Sequence, residues 1–96
     1  MTTKFLTTDE LQKLLPTIRD AWRKDHKNVF VAMLMKEAMR KGQRDVVVIA
    51  SAGVIVLEWL AEYLEEHHKA TASLDACYEV IFSLEHESVK LAGVLP

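Results

Sequence analysis

Histidine and glutamate side chains that could bind a metal or transfer protons gather in the C-terminal half of the chain. They are His67, His68, Glu79 and His86. Adjacent residues on a helix point about 100° apart, so His67 and His68 cannot hold one ion together. A zinc site needs four ligands, or three and an open position, and no single motif here supplies them. An enzyme or metal protein built on these residues is the least favoured hypothesis, and we expect no cofactor.

Other catalytic signatures are also missing from the sequence. The three glycines are isolated, so they form no phosphate-binding loop, and no nucleophile stands in a recognisable motif. Cys77 is the single cysteine and falls on an apolar helix face, where a buried and unreactive thiol is expected. One cysteine cannot form an intrachain disulfide, which favours a reducing compartment. These features predict a cytoplasmic protein that is not an enzyme.

The net charge of −2 hides two segments of opposite sign. Residues 19–44 hold eight basic and three acidic residues, a net of +5, whereas residues 58–90 hold eight acidic and two basic ones, a net of −6. Lysine and arginine neutralise phosphates without sequence-specific geometry. The basic segment therefore suggests one function, a nucleic-acid-binding accessory protein. Its candidate contacts are Arg19, Arg23, Lys24, Lys27, Arg40, Lys41 and Arg44.

A stripe of four glutamates offers a different kind of contact. Glu58, Glu62, Glu65 and Glu66 fall within about 100° of one another on a helical wheel. Such a stripe is usually a solvated helix face, but it can also bind a basic partner. The sequence leaves open which of the two charged faces is the functional one.

The stretch that must position these glutamates is residues 45–68. Residues 46–57 are apolar except for Ser51. A helix that is apolar all round must be buried all round, so this half is predicted to lie at the centre of a bundle or in a subunit interface. The β-branched residues at 46–49 also permit a strand. A helix is favoured because no other segment offers a partner strand. About 18 Å of apolar helix cannot cross a bilayer core of roughly 30 Å, so no membrane span is expected.

The first helix has the clearest local signal. Thr7 and Glu10 have the spacing of a capping box. A helix over residues 8–24 is predicted to follow, with a kink just before Pro16, because proline removes a backbone hydrogen bond and clashes with the preceding turn. Trp22 lies on the apolar face of this helix and is expected in the core.

A second helix is predicted over residues 29–41, and its apolar pattern is irregular. Phe30 and Met33 point toward the side that carries most of its charged residues. Either the N-terminal half of this helix is buried all round, or Phe30 and Met33 form an apolar patch rimmed by cations. Methionine recurs at adaptable binding surfaces, so both residues are candidate partner contacts.

The last helix is predicted over residues 74–92, with Ser73 as its N-cap. Its broad apolar face includes Leu74, Tyr78 and Phe82. Four helices joined by short connections predict an all-α fold, a compact bundle with the third helix, residues 45–68, at its centre. The whole chain, residues 1–96, is expected to form one domain.

We therefore expect a small cytoplasmic helical protein that binds another protein as a regulator, adaptor or inhibitor. Nucleic-acid binding is the alternative. The chain has many apolar residues for its length, more than four short helices are expected to bury alone. A homodimer is therefore the first expectation. The predicted partner contacts are Phe30, Met33, Glu58, Glu62, Glu65 and Glu66.

Overall fold

The computed structural model describes residues 3–40 and 46–93, with residues 46–49 described by their backbone alone. The elements in chain order are β1 (Lys4–Leu6), α1 (Thr8–Lys13), α2 (Leu15–Lys24), α3 (Lys27–Arg40), α4 (Val46–His68), β2 (Ala70–Ala72) and α5 (Leu74–Leu91). The predicted all-α bundle is confirmed, and the apolar start of the third predicted helix is a helix and not a strand. The predicted contacts Lys41 and Arg44 lie outside the described residues.

The capping box at the start of α1 is present as predicted. The Thr7 hydroxyl accepts a hydrogen bond from the Glu10 backbone N–H at 3.1 Å, and the Glu10 carboxylate accepts one from the Thr7 N–H at 3.0 Å. The predicted kink is a full break at Leu14, which divides residues 8–24 into α1 and α2. Pro16 lies in the first turn of α2, where its missing N–H costs nothing.

Loss of this cap is expected to weaken the start of α1. The hydrogen bond from the Thr7 backbone, followed by the bond from Lys4, lowers the pKa of Glu10 to about 2. A lowered folded-state pKa stabilises the fold above the ordinary value of 4.5, and that contribution disappears as the pH falls toward 2. We expect Thr7→Ala to cost about 1 kcal/mol of unfolding free energy at neutral pH and to raise the Glu10 pKa.

Urea unfolding and an NMR titration of Glu10 measure both effects. Thr8→Ala is the control, because Thr8 is the first residue of α1 and does not supply the cap. The backbone N–H of residue 7, which makes the largest contribution to the lowered pKa, remains in this variant. A Glu10 pKa that is unchanged in Thr7→Ala would show that the Thr7 hydroxyl does not help to hold this carboxylate.

The core is centred on Trp22, which is fully buried. Its indole N–H donates to the Ser88 hydroxyl at 2.8 Å and to the Leu84 carbonyl at 3.1 Å. Its ring meets the ring of Trp59 edge to face, with 5.0 Å between centroids. Trp22 therefore ties α2 to both α4 and α5, and its predicted place in the core is confirmed.

The helix with the widest set of neighbours is α5, which packs against α1, α2, α3 and α4. The third predicted helix, α4, packs mainly against α3, α5 and β2. The expectation that residues 46–57 are buried all round is wrong for the single chain. Ala52 and Val56 are buried, but Val54 is 52% exposed. The acidic end of α4 faces water, and the same face of the helix is exposed at Ala50, Ser51 and Val54.

A short parallel sheet was not predicted. Lys4 pairs with Ala70 and Leu6 with Ala72, and the Lys4 N–H donates to the Lys69 carbonyl at 2.9 Å. Leu6 and Ala70 are buried in the core, while Phe5, which pairs with Thr71, faces outward. The sheet anchors the segment before α1 to the connection between α4 and α5.

Candidate functional site

A groove of about 540 Å³ lies between α2 and the C-terminal half of α4. The turn between α2 and α3 forms one end of it. Charged residues from both helices surround an aromatic and apolar wall. The groove is lined by Thr17, Asp20, Ala21, Lys24, Asp25, Lys27, Trp59, Glu62, Tyr63, Glu66 and His67.

The aromatic wall is a ladder of side chains spaced four residues apart along α4. The Trp59 and Tyr63 rings are stacked with 5.1 Å between centroids and 14° between planes. The His67 ring lies 4.8 Å from Tyr63. Burial, with a smaller contribution from the Asp20 carboxylate, raises the pKa of Tyr63, so its hydroxyl is protonated and can donate a hydrogen bond at neutral pH.

Asp25 fixes the end of the groove where α2 turns into α3. One carboxylate oxygen accepts from the Trp59 indole N–H at 3.1 Å, and the other accepts from the Lys27 backbone N–H at 2.9 Å. These bonds hold Trp59 in place and cap the first turn of α3. Asp25 therefore has a structural task, and the carboxylates of α4 are the ones free to meet a ligand.

The predicted glutamate stripe borders this groove. Glu62 and Glu66 line it, and Glu58 and Glu65 lie on the same exposed face of α4, farther from the groove. Within residues 3–40 and 46–93, none of the four forms an ion pair. Glu62 and Glu66, two unpaired carboxylates beside the aromatic wall, form a surface that attracts cations.

Several of the predicted nucleic-acid contacts are used within the chain. The Arg23 guanidinium bonds Glu87 at 2.6 Å, Lys24 pairs with Asp20 at 3.1 Å, and Arg40 pairs with Glu37 at 3.1 Å. Arg19 donates to the Ser83 hydroxyl at 3.2 Å. The bond from Arg23 also lowers the pKa of the Glu87 carboxyl. Three of these cations therefore have an acidic partner within the chain, whereas Lys27 forms no ion pair with any described residue.

An apolar surface on α3, here called the α3 patch, consists of Val29, Phe30 and Met33. These side chains are 53%, 56% and 61% exposed. Of the two interpretations of the irregular pattern, the exposed patch is therefore the one that the single chain adopts. Lys36 lies one turn further along the same exposed face of α3, and the His26 ring lies 6.4 Å from the Phe30 ring.

A second exposed apolar stripe runs along α5 and was missed. Leu74, Tyr78 and Phe82 follow one another at intervals of one turn, and Phe82 is 75% exposed. The sequence placed them on the same broad face as Val80 and Leu84, which are buried. At 100° per residue this face is wider than the covered side of α5, so its margin remains in water.

The residues considered for metal or acid–base chemistry do not form one site. Glu79 accepts a hydrogen bond from the Gln12 amide at 2.9 Å. The centroids of the His67 and His68 rings lie 4.8 Å and 5.4 Å from that of the Tyr63 ring. No three His, Cys, Asp or Glu residues within the described part of the chain are placed to hold a metal ion. Cys77 is buried, as predicted, and burial raises the pKa of its thiol.

Among the described residues, no helix has the length and apolar character needed to cross a bilayer. Comparison of the chain with protein-family models, with curated proteins and with solved structures finds no match.

Proposed function

We propose that this protein binds another protein, without catalysis, by accepting a basic segment in the groove between α2 and α4. The proposal rests on one observation, the difference between the basic and the acidic side chains in how many form ion pairs within the chain. The cations Arg23, Lys24 and Arg40 are paired within the chain. Glu62 and Glu66, which line the groove, form no ion pair with any described residue. In this role the protein is a small cytoplasmic regulator, adaptor or inhibitor.

The aromatic wall suits such a partner as well as the charge does. Amphipathic helices commonly bind in grooves, with apolar side chains inward and charged ones at the rim. The buried Trp59 ring supports the half-buried Tyr63 ring that stacks on it. A lysine or arginine side chain can lie against an aromatic ring such as that of Tyr63. Glu62 and Glu66 meet the cations at the rim, where complementary charge speeds association and selects the partner.

A peptide-binding experiment tests the groove directly. The probe is a fluorescein-labelled amphipathic 18-residue peptide with one lysine face and one leucine face, and the comparison peptide replaces lysine by glutamate. We expect the basic peptide to bind with a Kd on the order of 10 µM, and ten-fold more tightly or better than the acidic one, because opposite charges attract and like charges repel. Fluorescence anisotropy at low and at physiological salt measures both affinities.

Matched variants on one helix locate the contact. Glu62→Gln with Glu66→Gln removes two carboxylates that line the groove, and Glu58→Gln with Glu65→Gln removes two that do not. Both variants change the net charge equally. We expect the first to weaken peptide binding about ten-fold and the second less than about three-fold, since only the first pair contacts the peptide. Equal losses would show that net charge, not the groove, attracts the peptide.

The same titration with labelled duplex DNA tests the alternative function. Paired cations release few counterions, so we expect no binding at physiological salt. Salt-sensitive DNA binding that is lost on charge reversal of Lys27 would overturn the protein-binding proposal.

A further inference from the structure

We propose that the segment bound in the groove is the α3 patch of a second copy of this chain, so that the protein forms a two-fold homodimer. This inference rests on the proposed function of the groove, and it names the partner. In each copy, the α3 patch contacts the other copy's groove.

The two surfaces are complementary in charge and in chemical character. The groove has an aromatic wall and a lining of net negative charge, in which four carboxylates outnumber two lysines: Asp20, Asp25, Glu62 and Glu66 against Lys24 and Lys27. The α3 patch offers Phe30 and Met33, followed by Lys36, which forms no ion pair with any described residue. An aromatic side chain flanked by a cation is the kind of anchor that such a groove accepts.

The position of the two surfaces allows one symmetry axis to satisfy both contacts. Lys27 lines the groove and is also the first residue of α3. His26, in the same turn, lies against Phe30 at the edge of the patch. Because patch and groove adjoin at this turn, a two-fold axis beside it brings each patch to the opposite groove. Such an interface is closed and limits assembly to a dimer.

The charge pattern of the chain favours a second copy over an unrelated basic protein. Lys36 beside the α3 patch and Glu62 and Glu66 at the groove form no ion pair with any described residue, so the charges of the two surfaces make one copy complementary to another. The α3 patch also leaves three large apolar side chains more than half exposed in the single chain. Docking against the partner's groove removes them from water, and burial of apolar surface is the main driving force of association.

Sedimentation velocity between 1 and 100 µM measures the dimer, and three variants identify its contacts. The patch variant is Phe30→Asp, and the groove variant is Glu62→Lys with Glu66→Lys. Each changes only exposed side chains, and circular dichroism verifies that helix content is kept. We expect the wild type to dimerise within this range and each variant to weaken dimerisation about 30-fold or more, as for a hot-spot residue. Met39→Asp is the control, because Met39 is an exposed α3 residue outside the patch.

Mixing the two variants gives the decisive result. The groove variant keeps an intact patch and the patch variant keeps an intact groove, so the mixture regains one of the two contacts. We expect a heterodimer that is weaker than the wild-type dimer but absent from either variant alone. Dimers that survive the groove variant would overturn the proposal. If the patch variant also abolished those dimers, they would form through a contact between two α3 helices.

The outcomes for the two proposals are distinct. A wild type that stays monomeric at 100 µM while the basic peptide binds would overturn self-docking and leave the groove as a site for another basic protein. A monomer that binds no peptide would overturn both proposals.

Discussion

Replacement of Trp22 by alanine is expected to lower the free energy of unfolding by about 3–5 kcal/mol, the largest effect of any single change to the core. Trp22 is fully buried and joins α2 to α4 and α5. Its removal leaves a cavity between α2 and α5, deprives Trp59 of its edge-to-face partner, and leaves the Ser88 hydroxyl and Leu84 carbonyl without their indole donor.

A second variant separates the ring from its hydrogen bonds. Trp22→Phe keeps most of the apolar contact but has no N–H, so it should cost about 1–3 kcal/mol through the unpaired buried acceptors. Urea unfolding followed by circular dichroism measures both variants without relying on tryptophan fluorescence. If Trp22→Phe were as damaging as Trp22→Ala, the two hydrogen bonds and not the packing would dominate this site.

Replacement of Asn28 by aspartate is expected to cost about 3 kcal/mol, although the two side chains have nearly the same shape. The Asn28 amide lies within hydrogen-bond distance of three backbone carbonyls, those of Trp22 at 3.2 Å, Arg23 at 3.0 Å and Asp25 at 2.6 Å. It closes the C-terminal end of α2 and sets the direction of α3. A carboxylate there points negative oxygens at the same carbonyls and can donate nothing.

The pH dependence identifies this cause. The carbonyls disfavour the charged form, so the folded-state pKa of the introduced carboxyl is raised above its unfolded value. Its destabilising effect is therefore full above the folded-state pKa and shrinks as the pH falls below it, when the carboxyl is protonated and can donate one hydrogen bond. Asn28→Ala is the control, with a loss of about 2 kcal/mol relative to wild type that does not vary with pH. A pH-independent loss in Asn28→Asp would mean that the carbonyls do not face the introduced carboxyl.

Local features of the fold were predictable because their causes lie within a few residues. The capping box needs only Thr7 and Glu10, and the break before α2 follows from the missing N–H of Pro16. The core position of Trp22 follows from its place on an apolar helical face. Each of these rests on helical periodicity or on backbone chemistry, which the sequence displays directly.

Long-range pairing was not predictable. The ion pair between Arg23 and Glu87 joins residues far apart in the chain. Because Arg23 binds this carboxylate, it is not free to bind a phosphate. The groove depends on the separation of α2 from α4, which no local pattern encodes. Glu62 and Glu66 were candidate contacts from their spacing alone, but their position beside Tyr63 and opposite Asp20 required the packed structure.

The parallel pairing of β1 with β2 also bears on the order of folding. Lys4 and Ala70 are brought together only after the chain between them is compact, because closing a long loop costs entropy before any contact repays it. These two short strands are thus expected to pair after the helices have packed, late on the folding pathway. Interactions made after the transition state mainly slow unfolding. The sheet is therefore expected to slow unfolding. Weakening it should shorten the lifetime of the native state more than it slows folding.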